Sequence, residues 1–182
     1  MAKTDDFPLP APSAEIRGAR YHAGWLDRAA QEALAADLRA VVAAAPFFSP
    51  VAASGRQMSV RMTAAGRFGW FSDRKGYRYV DRHPSGAAWP AIPESVMAIW
   101  RALSGASREP ECCLVNWYGP EARMGLHQDR DEADFSQPVL SVSLGDDGLF
   151  RIGNLVRGGA TQSLWLRSGD VLSVASAPLP QF

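Results

Sequence analysis

The sequence predicts a single α+β domain whose second half is a β-sandwich or jelly roll. Three observations carry that reading. The chain has 182 residues and 47% apolar content, enough to bury one core. Two stretches with helical spacing lie in the first 106 residues. From residue 112 onward, short strand candidates follow one another with turn residues between them.

Residues 1–20 hold Pro8, Pro10 and Pro12 among polar side chains and read as an extended, weakly packed arm. The folded domain is then expected over 21–182. In "GWLDRAAQEALAADLRAVVAAAPFF", Leu26, Ala30, Leu34, Leu38 and Val41 recur at helical spacing, and Pro46 stops the helix. The alanines favour helix throughout. "GRQMSVRMTAAGRFGWFSDRKGYRYVDRHPSG" is rich in glycine, aromatics and arginine and reads as short strands and loops. A second helix fits "AIPESVMAIWRALSGA". Pro93 suits its first turn, Val96, Ile99, Trp100 and Leu103 share a face, and Gly105 marks its end. "CCLVNWY", "PVLSVSLG", "LFRIGN" and "TQSLWLRSGDVLSV" then read as strands. In the second of these, Leu140, Val142 and Leu144 alternate onto one face.

Composition narrows the function. Nineteen basic residues balance nineteen acidic ones, so no global charge points to nucleic acid, although a local basic face still can. The only cysteines, Cys112 and Cys113, are neighbours, and they suggest neither a disulfide framework nor a zinc site. No apolar run is long enough to span a membrane, and the N-terminus lacks a signal core. A cytoplasmic monomer is the expectation. His22 and His83 stand in polar, loop-like contexts and receive no role.

The chemistry concentrates in "NWYGPEARMGLHQDRDE", residues 116–132. His127 and Asp129 stand two apart after a turn, so on a strand both would reach one ion. Two imidazoles and a carboxylate form the facial triad of non-haem Fe(II) oxygenases, and this pair supplies one of each.

Here the sequence resembles the AlkB family of Fe(II)/2-oxoglutarate-dependent nucleic-acid dealkylases. "CLVNWYGPEARMGLHQDRDE" resembles the family's NxY, turn, HxDxDE block. "PVLSVSLG" and "GDV" resemble later blocks, and "MSVRMT", "FGWFSDRKGYRY" and "WPAIP" earlier ones, over about residues 50–172. The resemblance implies a double-stranded β-helix with N-terminal helices and a nucleotide-recognition lid. It implies oxidation of an N-alkyl group on a base, such as N1-methyladenine or N3-methylcytosine. Iron, 2-oxoglutarate and O2 are consumed in that reaction, and formaldehyde, succinate and CO2 are released. Alkylated DNA, single- or double-stranded, is the implied substrate, with RNA as the alternative.

The resemblance also implies roles. His127 and Asp129 are the first two iron ligands. Asn116, Trp117 and Tyr118 form the 2-oxoglutarate segment, in which Asn116 and Tyr118 donate hydrogen bonds. Trp70, Tyr77, Arg78 and Tyr79 belong to the lid, with Arg67 and Arg74 near enough to meet phosphate. Met62 lines the base pocket, Asp131 meets the base edge and Arg157 contacts substrate. Taken alone, Trp70, Phe68 and Phe71 would read as core.

After "SGDVL" the family pattern calls for a second iron histidine and then a strand with two arginines for 2-oxoglutarate. This sequence reads "SVASAPLPQF" and contains no histidine after His127. The expectation is a β-helix without its final strands, through a shifted frame or premature stop near Leu172, and impaired activity. Two other readings stand beside it. One is a nucleic-acid-binding remnant without catalysis, the other an oxygenase acting on protein or lipid.

Overall fold

The computed structural model describes residues 9–127, 134, 136–153 and 158–174. Its elements run β1 (Ala14–Ile16), β2 (Ala19–His22), α1 (Arg28–Ala44), β3 (Arg61–Gly66), β4 (Gly69–Asp73), β5 (Gly76–Val80), α2 (Glu94–Leu103), β6 (Cys112–Trp117), β7 (Val139–Val142), β8 (Gly148–Ile152), β9 (Gln162–Leu166) and β10 (Val171–Val174).

Both helices form where the apolar spacing predicts them. Asp27 caps α1, its carboxylate accepting from the Ala30 N–H at 2.8 Å. Leu34 of α1 packs with Ile99 and Leu103 of α2, with Leu26 and with Val171 of β10. Leu140, Val142 and Leu144 lie against this cluster, the face that alternation assigns them. Pro93 stands at the N-cap of α2, one step before the first turn.

Every strand pair is antiparallel. One sheet has the order β1-β2-β10-β7, and β3-β6, β4-β5 and β8-β9 form pairs. The first sheet corrects the reading of residues 1–20 as a weakly packed arm. Ala14–Ile16 and Ala19–His22 are paired strands, and Ile16 and Ala19 are buried. Their short polar sequence carries no period of its own, and β10 supplies the pairing. His22 and His83 are also buried, His22 in a strand, against its reading as loop-like, and His83 in a loop as read. His22 sits in β2 opposite Val171. Both ring nitrogens of His83 are engaged, Nε2 2.8 Å from the Pro46 carbonyl and Nδ1 2.8 Å from the Ser85 hydroxyl.

A buried carboxylate ties this sheet together. Asp170 accepts from the Gly24 N–H at 2.7 Å, the Tyr21 hydroxyl at 2.7 Å and the Arg167 N–H at 2.8 Å. Burial alone would raise its pKa, but those three donors hold it below the ordinary value of 3.8. Tyr21 is pushed up to about 12, by burial first and by Asp170 second. Asp170→Ala leaves two backbone N–H groups without their acceptor and is expected to cost about 3 kcal/mol in urea unfolding. The signs of the pH dependence follow. Asp170's contribution is present above its unfolded pKa and fades as pH falls through the lowered folded value. Tyr21's is present below pH 10 and is lost as pH rises towards 12. Tyr21→Phe should remove the alkaline loss.

The lid hairpin β4-β5 is rooted by a close approach. A Cβ on Gly69 would lie 2.3 Å from the Trp89 ring, so only glycine fits there. Trp89 in turn donates from Nε1 to the Val80 carbonyl at 2.9 Å.

Among the described residues, β6 pairs with β3 alone and β7 with β10 alone, so each has one edge without a strand partner. Val115 and Trp117 of β6 and Leu144 beyond β7 line one groove of about 360 Å³. Ala35, Leu38, Arg39 and Val42 of α1 also line it.

Candidate active site

Strand β6 sends alternate side chains to opposite faces. Val115 and Trp117 turn to the α1 side and line the groove. There the Arg61 guanidinium lies 5.6 Å from the Trp117 ring centroid and 5.6 Å from that of Phe47. Trp117 is thereby separated from its neighbours in the expected 2-oxoglutarate segment, a correction to that assignment. Asn116 faces the other way, in register with Met62 of β3. Met62 is only 1% exposed and bridges to Phe48 on its second side, so it offers no surface to a ligand. Its expected place lining the base pocket is corrected to a place in the core behind Asn116. Tyr118 lies just past the end of β6 and is exposed.

The segment from Tyr118 to His127 has no regular secondary structure apart from a turn near Gly119–Ala122. His127 therefore stands in an irregular stretch, and residues 128–133 that follow it lie outside the described residues. The Tyr118 hydroxyl lies 3.9 Å from the Met124 sulfur. Across the chain, the Ser59 hydroxyl donates to the Arg123 carbonyl at 3.2 Å and accepts from the Arg123 N–H at 3.1 Å. His127 Nδ1 lies 2.8 Å from the Gly125 carbonyl. A carbonyl can only accept, so in this contact the ring donates from Nδ1. The imidazole is exposed. Asp129, Asp131 and Arg157 lie outside the described residues. The sequence carried no signal for Ser59, Arg123 or Gly125, because the bond from Ser59 links positions 64 residues apart.

On the lid, Trp70 and Tyr77 stack with ring centroids 6.1 Å apart and planes 18° from parallel. Register places Trp70, Tyr77 and Tyr79 on one face of the ribbon. Tyr77 is 50% exposed, so one side of the stack is open. Arg78 is on the opposite face. It makes a two-pronged ion pair with Asp73 at 2.9 and 3.0 Å and lies 5.1 Å from the Phe71 ring centroid. In this arrangement it braces the ribbon. Arg67 is likewise engaged, with Glu111 at 3.1 Å and over Phe68. Phe71 packs on Phe48, the core role that its residue type alone suggests.

An exposed imidazole on an irregular segment, an aromatic hairpin and a jelly-roll-like frame narrow the search for relatives. The 2OG-Fe(II) oxygenase superfamily profile matches residues 18–177, wider than the 50–172 expected. An "Alpha-ketoglutarate-dependent dioxygenase AlkB homolog" of Caulobacter vibrioides is 50% identical over 164 residues, 90% of this chain and 74% of that one. The chain belongs to the AlkB family of 2OG-Fe(II) oxygenases. "Alpha-ketoglutarate-dependent dioxygenase AlkB" of Escherichia coli is 38% identical over 170 residues, 91% of this chain and 76% of that one. "The structure of OsALKBH1" superposes with a TM-score of 0.70 at 27% identity, covering 88% of this chain and 81% of that chain. An AlkB family member is a dioxygenase that uses Fe(II) and 2-oxoglutarate.

The residues present fit part of such a centre. His127 is an imidazole, the type of nitrogen donor such a centre takes. No group of three His, Cys, Asp or Glu that could hold a metal occurs among the described residues. His22 and His83, the other two histidines, are each held in a core. Bound iron with 2-oxoglutarate supplies the O2-dependent oxidation. The described residues show His127 Nδ1 at the Gly125 carbonyl and the stacked Trp70–Tyr77 pair on the β4-β5 hairpin. No described helix is long and apolar enough to cross a membrane.

Proposed function

We propose that this chain oxidatively removes N-alkyl groups from bases such as N1-methyladenine and N3-methylcytosine in single- or double-stranded DNA, with RNA as a further substrate. The Trp70–Tyr77 stack carries this reading. An open aromatic face suits a base taken out of its helix, and every base presents a π-face to it. His127 and Asp129 hold iron in this reading, Asn116 and Tyr118 meet 2-oxoglutarate, Asp131 faces the cationic base and Arg157 contacts the strand.

The stack can be tested without metal. A single-stranded oligonucleotide carrying 1-methyladenine should bind and change tryptophan fluorescence. Trp70→Ala and Tyr77→Ala should each weaken binding about tenfold, the scale of one lost base–aromatic stack. Arg78→Ala should lower the stability of the ribbon more than it lowers affinity. An affinity indifferent to both aromatic substitutions would exclude nucleic acid from the lid and favour an oxygenase acting on protein or lipid.

A further inference from the structure

We propose that Ser59 is a positioning residue for the iron site, locking the loop that carries His127 to the root of the lid. The inference rests on His127 being an iron ligand. The hydrogen bonds from Ala122 to Gly119, from Tyr118 to Met124 and from His127 to Gly125 all stay inside residues 118–127. They shape the loop without placing it. The Ser59 hydroxyl joins it to a distant segment, donating to the Arg123 carbonyl and accepting from the Arg123 N–H. One hydroxyl thus fixes both the position and the orientation of the Arg123 peptide, four residues before His127.

Ser59 is itself well anchored. The Met58 N–H donates to the Pro50 carbonyl at 2.8 Å, Val60 is fully buried, and β3 begins at Arg61. The Ser72 hydroxyl donates to the Val51 carbonyl at 2.8 Å, and the Val51 N–H donates to the Ser72 carbonyl at 3.1 Å. Lid strand β4, the segment 50–59 and the metal loop are therefore joined in series, and Ser59 is the last link. A base held on the lid steadies the ligand loop through the same chain of bonds.

The test compares Ser59→Ala, Ser59→Thr and His127→Ala in the full chain. Amide exchange of Arg123 and affinity for Mn(II) alone are the readouts. Ser59→Ala should speed Arg123 exchange and weaken Mn(II) about three- to tenfold, the scale of one or two net hydrogen bonds. Ser59→Thr keeps the hydroxyl and should restore both, and Ser59 is exposed, so the unfolding midpoint should barely move. Unchanged Mn(II) affinity in Ser59→Ala, or a loss that threonine does not restore, overturns the proposal. Mn(II) affinity unaffected by His127→Ala overturns the iron reading beneath it, whatever Arg123 exchange shows.

Discussion

His127→Ala is expected to abolish measurable Fe(II) binding while leaving the fold intact. Loss of a partner that only orients a ligand costs roughly ten- to a hundredfold in metal affinity, and loss of the ligand itself costs more. Iron affinity should therefore fall at least about a hundredfold. The side chain is exposed, so removing it should cost less stability than removing a buried histidine. His22→Ala and His83→Ala should do the reverse. Both side chains are buried, and His83 ties the end of α1 to the 83–85 turn through Pro46 and Ser85, so stability should fall while iron binding persists. Anaerobic Fe(II) titration beside thermal unfolding separates the two patterns.

The second large effect concerns what joins residue 182. Residues 1–182 hold three histidines, and two of them are committed to cores. Among the described residues no group of three His, Cys, Asp or Glu could hold a metal. The family pattern adds a histidine and a charged anchor for 2-oxoglutarate, a charge-assisted contact about twice as strong as a neutral one. The open edges of β6 and β7 and the groove beside Val115, Trp117 and Leu144 give an added strand a place to pair and apolar surface to cover. Joining a family-like segment with one histidine and two arginines after Phe182 should therefore raise iron affinity and turnover at least about a hundredfold. It should also raise the unfolding midpoint.

Much of the fold was legible because local signals agreed with tertiary packing. Leu34, Ile99 and Leu103 fell on helix faces that bury, and Leu140, Val142 and Leu144 alternated onto the same core. Strands β1 and β2 were not legible, since among the described residues β1 pairs only with β2, and β2 is held in the sheet by β10, about 150 residues away. The site divided in the same way. His127 and the Trp70–Tyr77 pair could be found from motif and residue type. The face of Trp117, the capture of Arg78 by Asp73 and the burial of Met62 depend on register, which residue type does not report. Ser59 left no trace in the sequence, because its partner is a backbone group reached only by folding.

The central claim is that His127 belongs to the iron centre of a nucleic-acid dealkylase. Formaldehyde release from a 1-methyladenine oligonucleotide, with Fe(II), 2-oxoglutarate and O2, tests it most directly. Residues 1–182 alone should be compared with the same residues joined to the histidine- and arginine-bearing segment, each with and without His127→Ala. The account predicts release from the joined polypeptide, little from residues 1–182 alone and none where His127 is replaced. Equal release from both polypeptides, or release that survives His127→Ala, would contradict it.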